Sequence, residues 1–479
     1  MSIKKNFIYN FLLTGSNLLF PLITFPYLSR ILGAEGIGIC NFIISYCQNF
    51  IIIASLGLSV YGVREIARAG NDVVKRSQLF FELLTIHLVF TGFLLIIYYS
   101  SIFIFKDFQN YRQLSLLGGM FILLNVFVIE WLFSGLSDFK YITIRSLIIR
   151  ALSILSIFIL VKKKDDFNIY FIITLFTIFL TVLMNINYAR KYISKKVVLS
   201  FKGVRSHFKP VFLLGIYMVL TSIYSVLPIT LLGFFSSKIA VGYYYTANKI
   251  VRMIISIFTA LTTVMIPRLN QLIEQRGSND YLSLVDKLLN IVISLGIPLT
   301  FFVYLVAEPL ITLLAGKGFT NSIFCIQVMA PVVLIVALAQ VFVILILSVN
   351  RRDKDMVILS AIGVTISLII NVTFISHYAE KATAYSQLLT ELFVTILSYF
   401  LSKRYLNFYF PFKKLILNLL LVIPFAFITF LSMNLTGIIL LQLMISAIIC
   451  GLYFVFYQFV IIKDKFIIGL IDPYFNIFR

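Results

Sequence analysis

Long apolar stretches alternate with short polar connections along almost the whole chain. The stretches have the length of membrane-crossing helices rather than of buried core segments. About 20 consecutive apolar residues cross a bilayer as an α-helix. Fourteen such stretches can be laid down, at residues 7–32, 37–60, 79–105, 113–133, 142–161, 169–189, 210–235, 242–266, 284–306, 322–347, 357–375, 382–402, 413–432 and 437–461. The expected fold class is an all-α membrane protein. Lys249 and Arg252 interrupt the eighth stretch, yet without that crossing every later connection would change sides.

The longest polar connection, Arg190 to Lys209, separates six stretches from the next six. An even number of crossings sends both halves into the membrane in the same direction, as in parallel repeats about an axis along the membrane normal. A short echo agrees: Pro26-Tyr-Leu-Ser-Arg-Ile-Leu-Gly33 closes the first stretch and Pro228-Ile-Thr-Leu-Leu-Gly233 the seventh, and each leads to another glycine, Gly36 or Gly242. The expected organisation is two six-helix lobes in parallel pseudo-repeat, residues 1–195 and 210–402. A basic linker, 196–209, joins them, and 403–479 adds two helices and a tail. Two such lobes are expected to enclose a central cavity.

Composition removes the soluble alternatives: of 479 residues, 61% are hydrophobic and 12% charged, with a mean hydropathy of +1.02. That leaves no room for a soluble catalytic domain. The net charge of +21 lies in the connections rather than on a separate basic domain, so no nucleic-acid partner is expected. Basic residues crowd alternate connections, such as Arg64, Arg68, Lys75 and Arg76 or the Arg190–Lys209 linker, and are fewer on the others (Lys106, Arg112, Lys162, Lys163, Lys164, Lys238, Lys317 and Lys381). The positive-inside rule then puts both termini in the cytoplasm of a bacterial inner membrane. Cys40, Cys47, Cys325 and Cys450 fall inside apolar stretches without metal or C-x-x-C spacing, so neither disulfides nor a metal site is expected. The first stretch runs past Pro21 and Pro26 without a small-residue cleavage site and is read as a retained helix.

Charge inside the membrane is costly, about 2.5–3.5 kcal/mol on insertion scales, and normally faces a cavity or a partner. In the eighth stretch Thr246, Lys249, Arg252, Ser256, Thr259 and Thr263 recur at helical spacing and form one polar face. Similar stripes run through Asn10, Thr14, Asn17, Pro21 and Thr24 with Arg30 beyond, through Asn41, Ser45, Gln48, Ser55 and Ser59, and through Ser146, Arg150 and Ser153. Arg30, Arg150, Lys249 and Arg252 are therefore the candidate anion-binding residues, suited to a phosphate or pyrophosphate. Each has a plainer reading: snorkelling for Arg30, an ion pair with Glu130 for Arg150, helix packing for the hydroxyl stripes. Glu391, the deepest acid, and Glu130, Asp286 and Lys287 are candidates for ion coupling or gating. His87 reads as a packing residue, and Trp131 with Tyr243, Tyr244 and Tyr245 as interfacial anchors.

Several segments carry a resemblance. Phe20-Pro-Leu-Ile-Thr-Phe-Pro-Tyr-Leu-Ser-Arg-Ile-Leu-Gly33, Glu35-Gly-Ile-Gly38 and Leu56-Gly-Leu-Ser-Val-Tyr-Gly-Val-Arg-Glu-Ile-Ala67 resemble the N-terminal pattern of bacterial polysaccharide repeat-unit flippases. These are the Wzx type, in the polysaccharide transporter family of the MOP superfamily. Gly135-Leu-Ser-Asp-Phe-Lys-Tyr-Ile142, Gly242-Tyr-Tyr-Tyr-Thr-Ala-Asn-Lys249 and Val349-Asn-Arg-Arg-Asp-Lys354 extend the likeness over essentially the whole chain. The resemblance implies a MATE-like, two-lobed carrier of fourteen helices. It would flip undecaprenyl-pyrophosphate-linked oligosaccharide by alternating access, for O-antigen or capsule synthesis. It implies no catalytic residue and no cofactor, coupling to a proton or sodium gradient, and a polysaccharide polymerase, a chain-length regulator and membrane lipid as partners.

Three other classes share parts of the pattern. Multidrug exporters of the same superfamily usually carry an acid in the first helix, and the first stretch here has none. A membrane polymerase or ligase would need a sizeable outer loop, and the outer connections are short. A peptidoglycan-precursor flippase shares the mechanism and is distinguished by genetic essentiality.

Overall fold

The computed structural model describes residues 3–194, 200–274 and 278–463. Residues 196–199 of the expected linker and the tail beyond 463 lie outside them. Among the described residues the chain is helical and forms no strand, and twelve helices are long and apolar enough to cross a membrane. In chain order the α-helices are α1 (Ile3–Ser55), α2 (Leu58–Ala69), α3 (Val73–Ile104), α4 (Arg112–Asn125), α5 (Glu130–Gly135), α6 (Phe139–Leu160), α7 (Phe167–Ala189) and α8 (Phe201–Phe235). There follow α9 (Lys238–Glu274), α10 (Ser278–Leu305), α11 (Ala307–Leu314), α12 (Thr320–Gln340), α13 (Asp353–Tyr405), α14 (Phe412–Leu421), α15 (Pro424–Leu435) and α16 (Ile439–Phe456). The eighth stretch, interrupted by two cations in the sequence, is the continuous helix α9.

Two pairs of expected stretches share one helix each. The apolar part of α1 runs 44 residues and α13 runs 53, about twice what one crossing needs. Each is broken by a single residue: Gly33 at φ 65, ψ −177 in α1, and Ala379 at φ 48, ψ −127 in α13. One non-helical residue redirects a helix axis without a loop, which is why the connection seen in the sequence has no extended structure. Glycine takes this conformation freely, whereas alanine is strained there.

The fourth stretch is interrupted differently. α4 ends at Asn125 and α5 begins at Glu130, with Ile129, a β-branched residue, in the left-handed region at φ 40, ψ 28. Backbone freed at membrane depth must be satisfied inside the protein. Here the Asn185 side-chain amide of α7 donates to the Val128 carbonyl.

The chain packs as two compact units, Met1–Gly242 and Tyr243–Arg479, the division falling within α9. In the first unit α1 packs against α8, α6 and α4. Small residues set the closest approaches: a Cβ on Gly38 would overlap the Lys238 carbonyl, and one on Gly242 the Ala34 carbonyl. Such contacts are how helices associate where burial from water gives no drive. An aromatic cluster of Phe42, Tyr46, Phe50, Tyr98, Phe108 and Phe234 fills the space beside them. In the second unit α12 is central, packed against α10 and α13, while α15 and α16 pair with each other. Large apolar side chains such as Phe93, Ile159, Phe427 and Leu452 stand exposed, as expected of surfaces solvated by lipid tails.

Candidate functional site

The intramembrane cations fall into two groups, one in each unit. In the first unit α6 carries two arginines. Arg145 is 3% exposed. Its Nη1 donates to Asn185 Oδ1 at 2.6 Å, its Nη2 donates to Ser146 Oγ at 3.1 Å, and Nη2 also pairs with the Glu130 carboxylate at the start of α5. Asn185 in turn accepts from Tyr141 Oη at 3.1 Å, so one network ties α5, α6 and α7 at the α4–α5 break.

Arg150 lies half-buried further along α6 and donates to Ser16 Oγ and Asn17 Oδ1 of α1, with its guanidinium 5.8 Å from the Phe20 ring centroid. The stripes on α1 and α6 therefore meet. The ion pair offered to Arg150 in the sequence is made by Arg145 instead. Both arginines lie within the expected span, 142–161, and α6 (Phe139–Leu160) turns Arg145, not Arg150, toward Glu130.

The remaining α1 positions divide. Thr14 and Asn17 are exposed, Pro21 and Thr24 half-buried, and Thr24 Oγ1 donates to the Phe20 carbonyl at 3.1 Å; the side chain of Asn10 lies outside the described residues. Arg30 is exposed, just before the Gly33 break. Past the break the polar stripe serves packing: Ser45 Oγ shares a 3.0 Å hydrogen bond with Thr230 Oγ1 of α8, and Asn49 Nδ2 donates to the same hydroxyl at 2.9 Å. Beside Glu130 lies a cavity of about 300 Å³ lined also by Ser55, Ser59, His87, Asn125 and Trp131.

In the second unit α9 presents its cations differently. Arg252 is exposed, and its Nε donates to Asn248 Oδ1, one turn back on the same helix, at 3.1 Å. Lys249 is half-buried, its Nζ 5.6 Å from the Tyr245 ring centroid. Thr259 and Thr263 are exposed on α9, whereas Thr246 is buried. The stripe hydroxyls are satisfied locally: Ser256 Oγ donates to the Met253 carbonyl at 2.6 Å and Thr263 Oγ1 to the Thr259 carbonyl at 2.7 Å. Gln340 Nε2 of α12 donates to Thr259 Oγ1 at 2.8 Å.

Glu391 is buried on α13, one turn beyond Gln387, which accepts from Tyr244 Oη at 2.7 Å. Tyr244 is thus a core residue rather than an interfacial anchor. Trp131 likewise packs against Phe80 and sits where any side chain on Gly62 would have to go. Asp286 accepts from the backbone N–H of Tyr409 at 3.3 Å, and Lys287 beside it is exposed. Glu380, which sequence reasoning passed over, is buried next to the Ala379 break and accepts from Asn321 Nδ2 at 3.0 Å.

Helical among the described residues, with twelve helices long and apolar enough to cross a membrane, the chain falls in the class of polytopic helical membrane proteins. Residues 3–273 match the model of the polysaccharide biosynthesis protein family, and the chain belongs to that family. Two curated relatives are both named "Putative O-antigen transporter". One, from Escherichia coli strain K12, is 26% identical and aligns over 83% of this chain and 96% of its own. The other, from Shigella dysenteriae, is 22% identical over 82% of this chain and 98% of its own. Among solved structures the fold is similar to that of the lipid II flippase MurJ in an inward closed conformation, with a TM-score of 0.77 and 15% identity over 94% of this chain and 99% of that one. It is also similar to an inward-facing multidrug resistance MATE family transporter of the MOP superfamily, with a TM-score of 0.64 and 12% identity over 81% of this chain and 94% of that one.

Proposed function

We propose that this chain is a flippase, not an enzyme, and moves a polyprenyl-pyrophosphate-linked oligosaccharide repeat unit across the bacterial cytoplasmic membrane by alternating access, for O-antigen or capsule synthesis. The observation that carries the reading is the cation pair of α9: Arg252 stands exposed within a membrane helix, with its hydrogen bond made to its own helix. An exposed guanidinium at that depth is expensive unless it faces water or an anion. A pyrophosphate and several sugars need polar partners along the whole path, while the polyprenyl tail stays in lipid. The names of the two curated relatives, and family membership, support the substrate class.

In this reading α1 and α13 each cross twice, giving fourteen crossings. The lobes are 1–195 and 210–402, both termini face the cytoplasm, and Arg30, Lys249 and Arg252 contribute to a cationic lumen, whereas Arg150, bonded to Ser16 and Asn17, holds α6 to α1. Glu391, Glu130, Asp286 and Lys287 are its coupling or gating candidates, and a polymerase and a chain-length regulator receive the product. The similarity to MurJ supports a lipid-precursor flippase at the level of fold, and the similarity to MATE transporters keeps drug–cation antiport as the second reading. Deletion of the gene tests it. Lipid-linked repeat units should accumulate on the cytoplasmic side and surface polysaccharide should be lost; unchanged surface polysaccharide without accumulation refutes the proposal.

A further inference from the structure

Away from the arginine network, three side chains from three helices of the first unit converge at the start of α8. His207 Nδ1 lies 2.8 Å from Tyr61 Oη of α2, and its Nε2 lies 3.0 Å from Glu82 Oε2 of α3. Glu82 is 3% exposed, and Gln78 Nε2 donates to its other oxygen at 3.1 Å. Among the described residues, His207 is the basic side chain at ion-pair distance from this buried carboxylate. A buried carboxylate needs a compensating charge or a proton.

The charged groups around the triad have other partners or stand exposed. On α2 Arg68 pairs with Glu65 at 2.8 Å and Arg64 lies 3.8 Å from the same carboxylate. On α3 Lys75 is exposed and Arg76 donates to the Tyr192 and Gly70 carbonyls. On α8 Lys202, Arg205 and Lys209 are exposed. Imidazole is the group whose charge changes in the range of cytoplasmic and external pH.

The first turns of α8 are built to dock here. Any side chain on Gly203 would overlap the Glu82 carboxylate, so the helix approaches it by its backbone. Pro210, just after His207, lacks the N–H that would reach the Ser206 carbonyl, which weakens the joint between these turns and the rest of α8. A neutral imidazole donates Nε2–H to Glu82 and accepts from Tyr61 at Nδ1. A protonated one donates from both nitrogens, and its contact with Glu82 becomes an ion pair. Adding the proton strengthens the contact with Glu82 and needs only the Tyr61 hydroxyl hydrogen to turn away from Nδ1 so that its oxygen accepts.

We infer that Glu82, His207 and Tyr61 form a proton-binding latch that holds the first turns of α8 against α2 and α3 more firmly when His207 carries a proton. The latch goes beyond the transport reading and does not depend on what the chain moves. Its test uses full-length protein in lipid nanodiscs without substrate, with spin labels on Arg64→Cys and Arg205→Cys and the four native cysteines replaced by Ala. At about pH 5.5 the label distances should form one short, narrow population. At about pH 8 a longer population should grow, the open-to-closed ratio rising about tenfold, the effect of one pKa unit of differential interaction as the contact with Glu82 goes from ion pair to hydrogen bond. His207→Gln keeps an amide donor for Glu82 and takes up no proton, so it should give the same distribution at both pH values. A pH-invariant distribution with His207 in place overturns the latch, and so does an undiminished pH response in His207→Gln. The first of these arms needs no change at the triad, so it holds even if the glutamine variant misfolds.

Discussion

Helices α6 and α9 each carry two basic residues inside the membrane, and the structure treats them in opposite ways. On α6, Arg145 and Arg150 reach side chains of neighbouring helices: Glu130 and Asn185 for the first, Ser16 and Asn17 for the second. On α9, Arg252 hydrogen-bonds within its own helix and stays exposed. A cation whose donors are spent on fixed partners holds helices together, whereas one left on a surface has donors to offer a ligand. The same residue type at similar depth is thus structural in one place and a binding candidate in the other, and its neighbours decide which.

Stability measurements should rank the two helices sharply. Glu130→Ala leaves the Arg145 guanidinium, 3% exposed, without its counter-charge. Breaking a fully buried pair from one side costs about 3–5 kcal/mol, and the Glu130 side chain is 48% exposed, so a smaller loss of about 2–3 kcal/mol and a clear downward shift of thermal unfolding in detergent are expected; a shift within error would mean that Arg145 is hydrated and not structural. Arg150→Ala should cost less, about 1–2 kcal/mol, since Asn17 is exposed and can turn to water or headgroups. Equal losses in the two variants would erase the distinction between a buried and a half-buried arginine. Arg252→Ala should be nearly silent in the same assay, within about 0.5 kcal/mol, as for exposed positions generally. A loss as large as that of Arg150→Ala would place Arg252 among the structural cations.

Much of this arrangement was legible from the sequence, and the rest failed for identifiable reasons. Apolar periodicity marks where helices run, because the cost of exposing backbone in lipid leaves no other solution. It gives no sign that a connection is a single redirected residue, as at Gly33 and Ala379, since the dihedrals of one residue leave no mark on hydropathy. The meeting of Arg150 with Asn17 follows from two stripes facing each other. The choice of Arg145 over Arg150 as partner of Glu130 depends on which face of α6 meets α5, and positions five apart on a helix point about 140° from each other. Tyr61, Glu82 and His207 are too far apart in the chain for any local pattern to join them, and a tyrosine, a glutamate and a histidine near span ends read as ordinary boundary residues. The helix pairing that brings them together is a tertiary fact.

The central claim is that the α9 cations serve the transported anion and not the fold. It is tested most directly by reconstituting purified wild-type and Arg252→Glu protein in proteoliposomes and measuring translocation of a polyprenyl-pyrophosphate-linked oligosaccharide at matched amounts of folded carrier. The account predicts a loss of transport of at least about tenfold in Arg252→Glu, the effect of about 1.4 kcal/mol in a charge-assisted contact, with unfolding temperature unchanged. Translocation at the wild-type rate in that variant would contradict it.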